Sequence, residues 1–497
     1  MTKIRMVTAL WGDWHIDALL DVNFRTLLAP GNLPHFSRQH DVTYRIHTRA
    51  ADKARIEASP IAGEIGKLLD LKIFGSLPEE GAGDTPGAQH AIWTEAADEA
   101  RRDGAYIMNM PPDVAFADGS LAALDRPLSA GKKSINWAYS RAVAETFAPA
   151  LKERFGDSSD PIILLGSELV ELNLRHLHPL SMACFADSPY FVRHPELILW
   201  PVAGEGLLLR VLATVNHLFD PGYFELNQNH LIAGRTDGQP LDMADVFHFD
   251  DSDEFFVVSL AEMGKDFSWF DSDRTAHPAV IGRWWLQFDS PTNDHFVAHQ
   301  IRWHVNAPTT SAWRRRERAA NLFLSRAAAA REAMRIRWTV EGIQTVDCVI
   351  ASSIIALAIE TGAILRSFPR PGRAVVFLPI DEVLEAFDST SLNDLLVGEG
   401  GRNLVRFLRR HVAFVEDDQD VNLDTGGRHC FTTVDGREVI VEIHEGGPTV
   451  DGIPIVAGPI ETGRHTIFVI KGVLDDEFGE MIASEEDETY HLAGGQS

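Results

Sequence analysis

The sequence predicts a doubly wound, mostly parallel α/β domain at its N-terminal side. Three observations carry that expectation. Short apolar runs alternate with helical patterns over residues 1–140. Several of those runs are rich in β-branched and aromatic residues, the composition of buried strands. Strands alternating with helices in this way imply parallel pairing.

The elements follow in order. Ile4 to Leu10 is an apolar run suited to a buried strand, and Asp13 stands where a helix N-cap is expected. The helical pattern after it carries Ile16, Leu19, Leu20, Phe24 and Leu27, and Pro30-Gly31-Asn32 stops it. Val42 to Thr48 is the second strand. Alanine-rich helices are expected over Ala51 to Leu69 and Pro86 to Arg102, with a strand at Leu71 to Phe74 between them. Ala105 to Met110 is the next strand, and it runs directly into Pro111-Pro112-Asp113. Asp118-Gly119-Ser120 reads as the cap of a following helix. Residues 160–310 are less regular and carry the His-Pro turns His178-Pro179, His194-Pro195 and His277-Pro278. Residues 312–338 read as a connecting helix rich in arginine and alanine.

Composition narrows the class. A chain of 497 residues predicts two to four domains. Hydrophobic residues are 45% and charged residues 24%, ordinary for a globular protein. The net charge of −27 argues against a nucleic-acid or anionic membrane surface as main partner. Cys184, Cys348 and Cys430 are far apart and form no CxxC pair, which argues against a disulfide framework or a thiolate zinc site. The N-terminus lacks a signal-peptide apolar region. Asp347 and Glu360 interrupt the most apolar stretch, Val346 to Ile364, so no membrane span is expected. A cytoplasmic location is the expectation.

Towards the C-terminus, Ala374-Val-Val-Phe-Leu-Pro-Ile-Asp-Glu-Val-Leu384 and Thr466-Ile-Phe-Val-Ile-Lys-Gly-Val-Leu474 stand about ninety residues apart. Between them lie a Leu-rich helix ending in Arg410-His411-Val412, then Val439 to Ile443 and Val450 to Val456. In that order the four segments resemble the fasciclin domain, a smaller α+β adhesion and interaction module. The resemblance implies a domain at 343–475 that does no chemistry and contacts a protein partner or a second copy of the chain. It also implies that Asp381 and Glu382 cap a helix. Lys471 departs from the family, which has an acidic residue there.

The N-terminal part resembles a GT-A-type glycosyltransferase domain at Trp11-Gly12-Asp13, at Leu27 to Pro34, and at Pro112-Asp113-Val-Ala-Phe-Ala-Asp118-Gly119. This resemblance implies a domain at 1–311, followed by a connecting helix at 312–342. An acidic tail at 476–497 is expected to be disordered. It further implies transfer of a sugar from a nucleotide-sugar donor to a glycan, protein or small-molecule acceptor. Trp11, Gly12 and Asp13 would border the nucleotide, and Asp113 would hold Mn²⁺ or Mg²⁺ as the metal residue. The family's Asp-x-Asp is not spelled at this point, because Val114 and Ala115 follow Asp113. Asp113 is therefore either a ligand contact or a turn cap, and both stay open. Asp250 to Asp253 and Asp271-Ser272-Asp273 read as solvated loops, and Asp118 as a cap. His217 and His277 are candidates for a late metal-binding histidine, and Arg314, Arg315, Arg316 and Arg318 read as a solvated helix face. No catalytic base stands out. The rival reading is a non-catalytic scaffold on a degenerate transferase fold.

Overall fold

The computed structural model describes residues 1–77, 85–157, 159–192, 195–213, 217–226, 232–264, 276–287, 291–341, 373–385, 395, 402–415, 427–444, 446–461 and 465–474. Cys348, His194, the Val346–Ile364 stretch, Asp271 to Asp273 and the acidic segment from Asp475 onward lie outside these residues. The chain divides into two compact units. One comprises Met1–Ala276 with Phe288–Ala320, and the other His277–Gln287 with Asn321–Ser497.

The first unit is mixed α/β. Its strands in chain order begin with β1 (Lys3–Ala9), β2 (Asp41–Thr48), β3 (Asp70–Gly75), β4 (Tyr106–Asn109), β5 (Val114–Phe116), β6 (Ser134–Asn136) and β7 (Ser140–Val143). They continue with β8 (Leu197–Val202), β9 (Gly206–Val211), β10 (Leu218–Phe219), β11 (Phe224–Leu226), β12 (Ile232–Arg235), β13 (Val246–His248), β14 (Val257–Ala261) and β15 (Ile301–His304). Seven form one sheet in the order β13-β6-β10-β4-β1-β2-β3. Strands β3, β2, β1 and β4 run parallel, with Met6 beside Tyr44 on one side and Met108 on the other. The two-residue β10 enters antiparallel between β4 and β6. Two three-stranded sheets, β5-β14-β7 and β15-β9-β8, complete the unit with the β11–β12 hairpin.

Local chemistry explains most of these elements, and three expectations need correction. Asp13 is the first helical residue rather than the N-cap; Gly12 holds that place without a side-chain bond. Ala51 to Leu69 is two helices, Ala50–Glu57 and Pro60–Leu68, because Pro60 has no amide hydrogen to continue the first and is well suited to begin the second. Asp118 does not cap the helix that starts at Ser120; its Oδ1 accepts from the Gly31 amide at 2.7 Å. The stop at Pro30-Gly31-Asn32 is held by Asn32, whose side chain donates to Thr26 O and Ala117 O and accepts from Leu121 N. Ile4, Met6, Phe24, Tyr44, Ile46 and Met108 are buried in the core beneath the sheet. Thr8 Oγ1 bonds Tyr44 Oη at 2.8 Å and Met110 O at 2.6 Å, tying the ends of β1, β2 and β4 together.

The second unit contains a closed seven-stranded barrel: β16 (Arg373–Pro379), β17 (Val412–Val415), β18 (Arg428–Thr433), β19 (Glu438–His444), β20 (Gly447–Val450), β21 (Ile453–Glu461) and β22 (His465–Ile470). Consecutive strands pair antiparallel, and β22 closes on β16 in parallel. The two C-terminal segments singled out in the sequence are thus direct neighbours. Phe377 faces Phe468 in register, rings stacked 5.9 Å apart. Closure removes the open sheet edges that would otherwise invite pairing with another chain. Val375, Phe377, Val439, Val441 and Ile470 fill the interior.

Candidate functional site

The sheet order places the site. β1 has β2 on one side and β4 on the other, so the chain leaves their carboxyl ends in opposite directions and a crevice opens between them. A cavity of about 250 Å³ lies there. Its rim comes from the segment after β1 (Leu10, Trp11, His15) and the segment after β4 (Met110 to Asp113), with Trp93, Tyr139 and His217 closing it.

Gly12 makes the first segment possible. Its φ of +80° is strained for any residue with a Cβ, and it turns the chain from strand to helix directly behind Trp11. Its amide donates to Asp52 Oδ2 at 3.1 Å, and His15 Nδ1 donates to Trp11 O at 3.0 Å. Asp13 is exposed, and its carboxylate pairs with Arg55 at 2.8 Å. Of the residues expected around the nucleotide, Trp11 lines the cavity, while the Gly12 amide and Asp13 carboxylate are engaged outside it.

Asp113 is in the cavity. Its carbonyl accepts from Leu260 N at 2.7 Å, and its Oδ2 accepts from Ser259 Oγ at 3.3 Å, so β14 fixes it from behind. Burial pushes its carboxyl above the usual carboxylate range, against the opposing pull of His15 and Arg141. Tyr139 is likewise pushed up to about 12, chiefly by burial and next by Glu196. Residues of the pocket wall are therefore held in their neutral forms more firmly than free side chains.

His217, one of the two late histidines singled out in the sequence, is also in the wall. It is 4% exposed, and neither ring nitrogen has a hydrogen-bond partner among the described residues. Burial, followed by the neighbouring His248, lowers its pKa to about 3, so the ring is neutral. Leaving a buried polar group unpaired costs roughly 1–3 kcal/mol. Its backbone is firmly held, with the amide on Asn136 Oδ1 at 3.2 Å and the carbonyl accepting from Asn109 N at 2.9 Å. The ring has no such anchor and lies on Trp137. His277, the other late histidine, is at a helix start, where its Nδ1 accepts from Ala279 N at 3.2 Å. His178 does the same for Leu180 N at 3.1 Å. A proline at the first helical position follows each, so these His-Pro turns are helix starts.

A second cluster lies elsewhere in the same unit. Asp251, Asp253 and His304 offer ligand atoms all within 4.8 Å of one another. The segment read as a solvated loop is in fact clamped. Ser252 is 1% exposed, its amide donates to Arg302 O, and its Oγ accepts from His304 N at 3.0 Å. Gly166 allows the helix Gly166–Arg175 to begin against it, since a Cβ there would stand 2.2 Å from Ser252 O. His304 Nε2 meets Asp251 Oδ1 at 2.9 Å, which raises the imidazole pKa and lowers that of the carboxyl. Two carboxylate oxygens and one imidazole nitrogen suit a divalent cation such as Mn²⁺ or Zn²⁺. Asp113 does not fit one as well: among the described residues no second carboxylate or imidazole ligand atom groups with it to make a three-ligand set.

Among the described residues, no helix is long and apolar enough to cross a membrane. Compared with known proteins, the chain matches no protein-family model and no curated protein sequence.

Proposed function

We propose that the first unit is a GT-A-type glycosyltransferase that takes a nucleotide-sugar donor in the crevice between β1 and β4. The observation that carries this reading is the cavity at that divergence, with Trp11 on one lip and Asp113 on the other. Trp11, Trp93 and Tyr139 give the cavity aromatic walls, and His15, Gln89, Asn109 and Asp113 add polar groups that can orient a ligand. Asp113, with its raised pKa, is a better proton acceptor than an exposed carboxylate and can hydrogen-bond a ligand hydroxyl. A divalent cation, where one is used, belongs at Asp251, Asp253 and His304, where it would brace the loop before β14. The acceptor is a glycan, protein or small molecule. In this reading the barrel of the second unit is a fasciclin-like module for protein contact or self-association.

The test is a melting-temperature screen of the full chain against UDP- and GDP-sugars, with and without Mn²⁺. A ligand at a hundred times its dissociation constant adds about 2.7 kcal/mol of stability. Asp113→Ala should remove the shift. One observation favours a second reading: the lone carboxylate of the pocket fits a binding protein without metal-assisted chemistry. No shift with any nucleotide sugar would leave the non-catalytic scaffold as the better account.

A further inference from the structure

We propose that the exposed arginine face of the helix Ser311–Glu341 is a docking surface, and that its occupant is the acidic segment of this chain that follows Leu474. That segment lies outside the described residues. Neither the cavity nor the nucleotide-sugar reading enters into this assignment.

The helix buries one side and leaves the other open. Trp313, Ala320, Leu324 and Ala327 recur at helical spacing and are buried. Arg314, Arg315, Arg318 and Arg326 fall on the opposite side, and all four are exposed. Leu322 stands among them, 55% exposed, so the stripe reads basic, apolar, basic. None of the four arginines forms an ion pair with a described residue. Arg314 donates to Thr309 O at 2.7 Å and Arg315 to Ser311 Oγ at 3.1 Å, both neutral acceptors. Glu317, the acid within this run, accepts from Gln300 and Arg302 instead. Other exposed arginines take carboxylate partners, as Arg55 does with Asp13, Arg126 with Glu254 and Arg175 with Glu171. In a chain of net charge −27, the stripe is an exception to that pattern.

The segment after Leu474 carries the matching pattern. Asp475-Asp-Glu477 and Glu485-Glu-Asp-Glu488 are acidic groups, Phe478, Met481 and Ile482 stand between them, and no lysine or arginine follows Lys471. Arg314 to Arg326 covers about 18 Å at about 1.5 Å per helical residue. Asp475 to Glu488 would span about 20 Å as a helix and more if extended, enough to cover the stripe. Each exposed pair contributes little alone, so docking needs several pairs together, with Leu322 against the apolar middle. A nucleic acid or an anionic membrane could meet the same guanidinium groups, but the net charge of −27 repels either one. A segment joined to the chain needs no approach of a second charged body and starts at high effective concentration.

The experiment is amide hydrogen exchange, read by mass spectrometry, on residues 475–490 in the full chain and in a synthetic peptide of the same residues. Docking should slow exchange in the full chain about fivefold or more relative to the peptide. Raising salt from about 0.1 M to about 1 M shortens the screening length from about 10 Å to about 3 Å and should bring the two rates together. The triple variant Arg314→Glu, Arg315→Glu, Arg318→Glu should lose the protection at low salt. Adding Glu485→Arg, Glu486→Arg and Glu488→Arg to it should restore protection. If the helix variant does not fold, the segment variant by itself carries the comparison and should lose protection. Exchange in the wild type equal to that of the free peptide overturns the assignment, as does protection that survives either charge reversal or high salt. Light scattering identifies the source: protection in a monomer puts the segment on its own helix, and protection only in an oligomer overturns that in favour of a second copy's segment. Binding of phosphatidylserine vesicles by the wild type, lost in the helix variant and with the segment unprotected, overturns the assignment in favour of a membrane surface.

Discussion

The imidazole of His217 lies against the indole of Trp137, ring centroids 4.4 Å apart and planes 27° from parallel. Trp137 stacks in turn on Phe255 at 4.6 Å, and Phe255 on Phe249 at 4.7 Å. A four-ring column thus runs through the core of the first unit and ends in the buried polar ring of His217.

Substitutions along that column should have opposite signs. Trp137→Ala removes the second ring and should cost about 3–5 kcal/mol, as large-to-small core changes do. His217→Phe removes two unpaired nitrogens and should be neutral or stabilising. Urea unfolding of the full chain measures both. A loss in His217→Phe as large as in Trp137→Ala would mean that the imidazole nitrogens have partners in the folded chain.

Asp113→Asn should stabilise the protein at neutral pH. The folded chain raises this carboxyl above its ordinary value of 3.8, so it favours the protonated form. That contribution is fully present below 3.8 and is lost as pH rises through the raised folded value. The amide has no charge to bury. Melting temperatures should show the variant ahead of the wild type at pH 7 and level with it at about pH 3.

The Asp251–His304 pair should produce a stability window. Asp251 is lowered from 3.8, so its share is present above that pH and is lost as pH falls through the lower folded value. His304 is raised from 6.5, so its share is complete below 6.5 and is lost as pH rises through the higher folded value. Asp251→Asn should therefore cost most between about pH 4 and 6.5. With the Asp251 side chain 37% exposed, solvent screening limits the loss to about 1 kcal/mol. The gap should narrow as pH rises through that raised folded value and the imidazole loses its proton. Chemical denaturation across this pH range gives the comparison.

In the barrel, His411 joins the helix Arg402–Arg410 to the segment after β22. Its Nδ1 donates to Phe407 O at 2.8 Å, and its Nε2 accepts from Leu474 N at 3.0 Å. His411→Ala would orphan a buried amide and a carbonyl, a loss of about 2–3 kcal/mol. Denaturant unfolding followed by faster proteolysis after residue 474 would show it. An unchanged midpoint would mean that water replaces both partners.

How much was legible depended on the distance over which each property is set. The four strands β1 to β4 and the position of Asp113 at a strand end were readable because hydrophobic periodicity and proline stiffness act over a few residues. Trp11 entered only through the family resemblance, as part of the segment after the first strand. The clamped Asp251-Ser252-Asp253 segment was not. Among 72 acidic residues an Asp-x-Asp spelling carries little information, and its partner His304 is 53 residues away. His217 was one of 20 histidines. Nothing near it in sequence announces that β10 will enter antiparallel between β4 and β6 and bring its ring to the cavity. By itself, the sequence determined strands β1 to β4 and the polar segment that follows β4, because those follow from local backbone preference and burial. Tertiary structure alone decided which carboxylate meets an imidazole and which imidazole is left unpaired. Those outcomes depend on strand order and close backbone approach, and neither is encoded within any short window of residues.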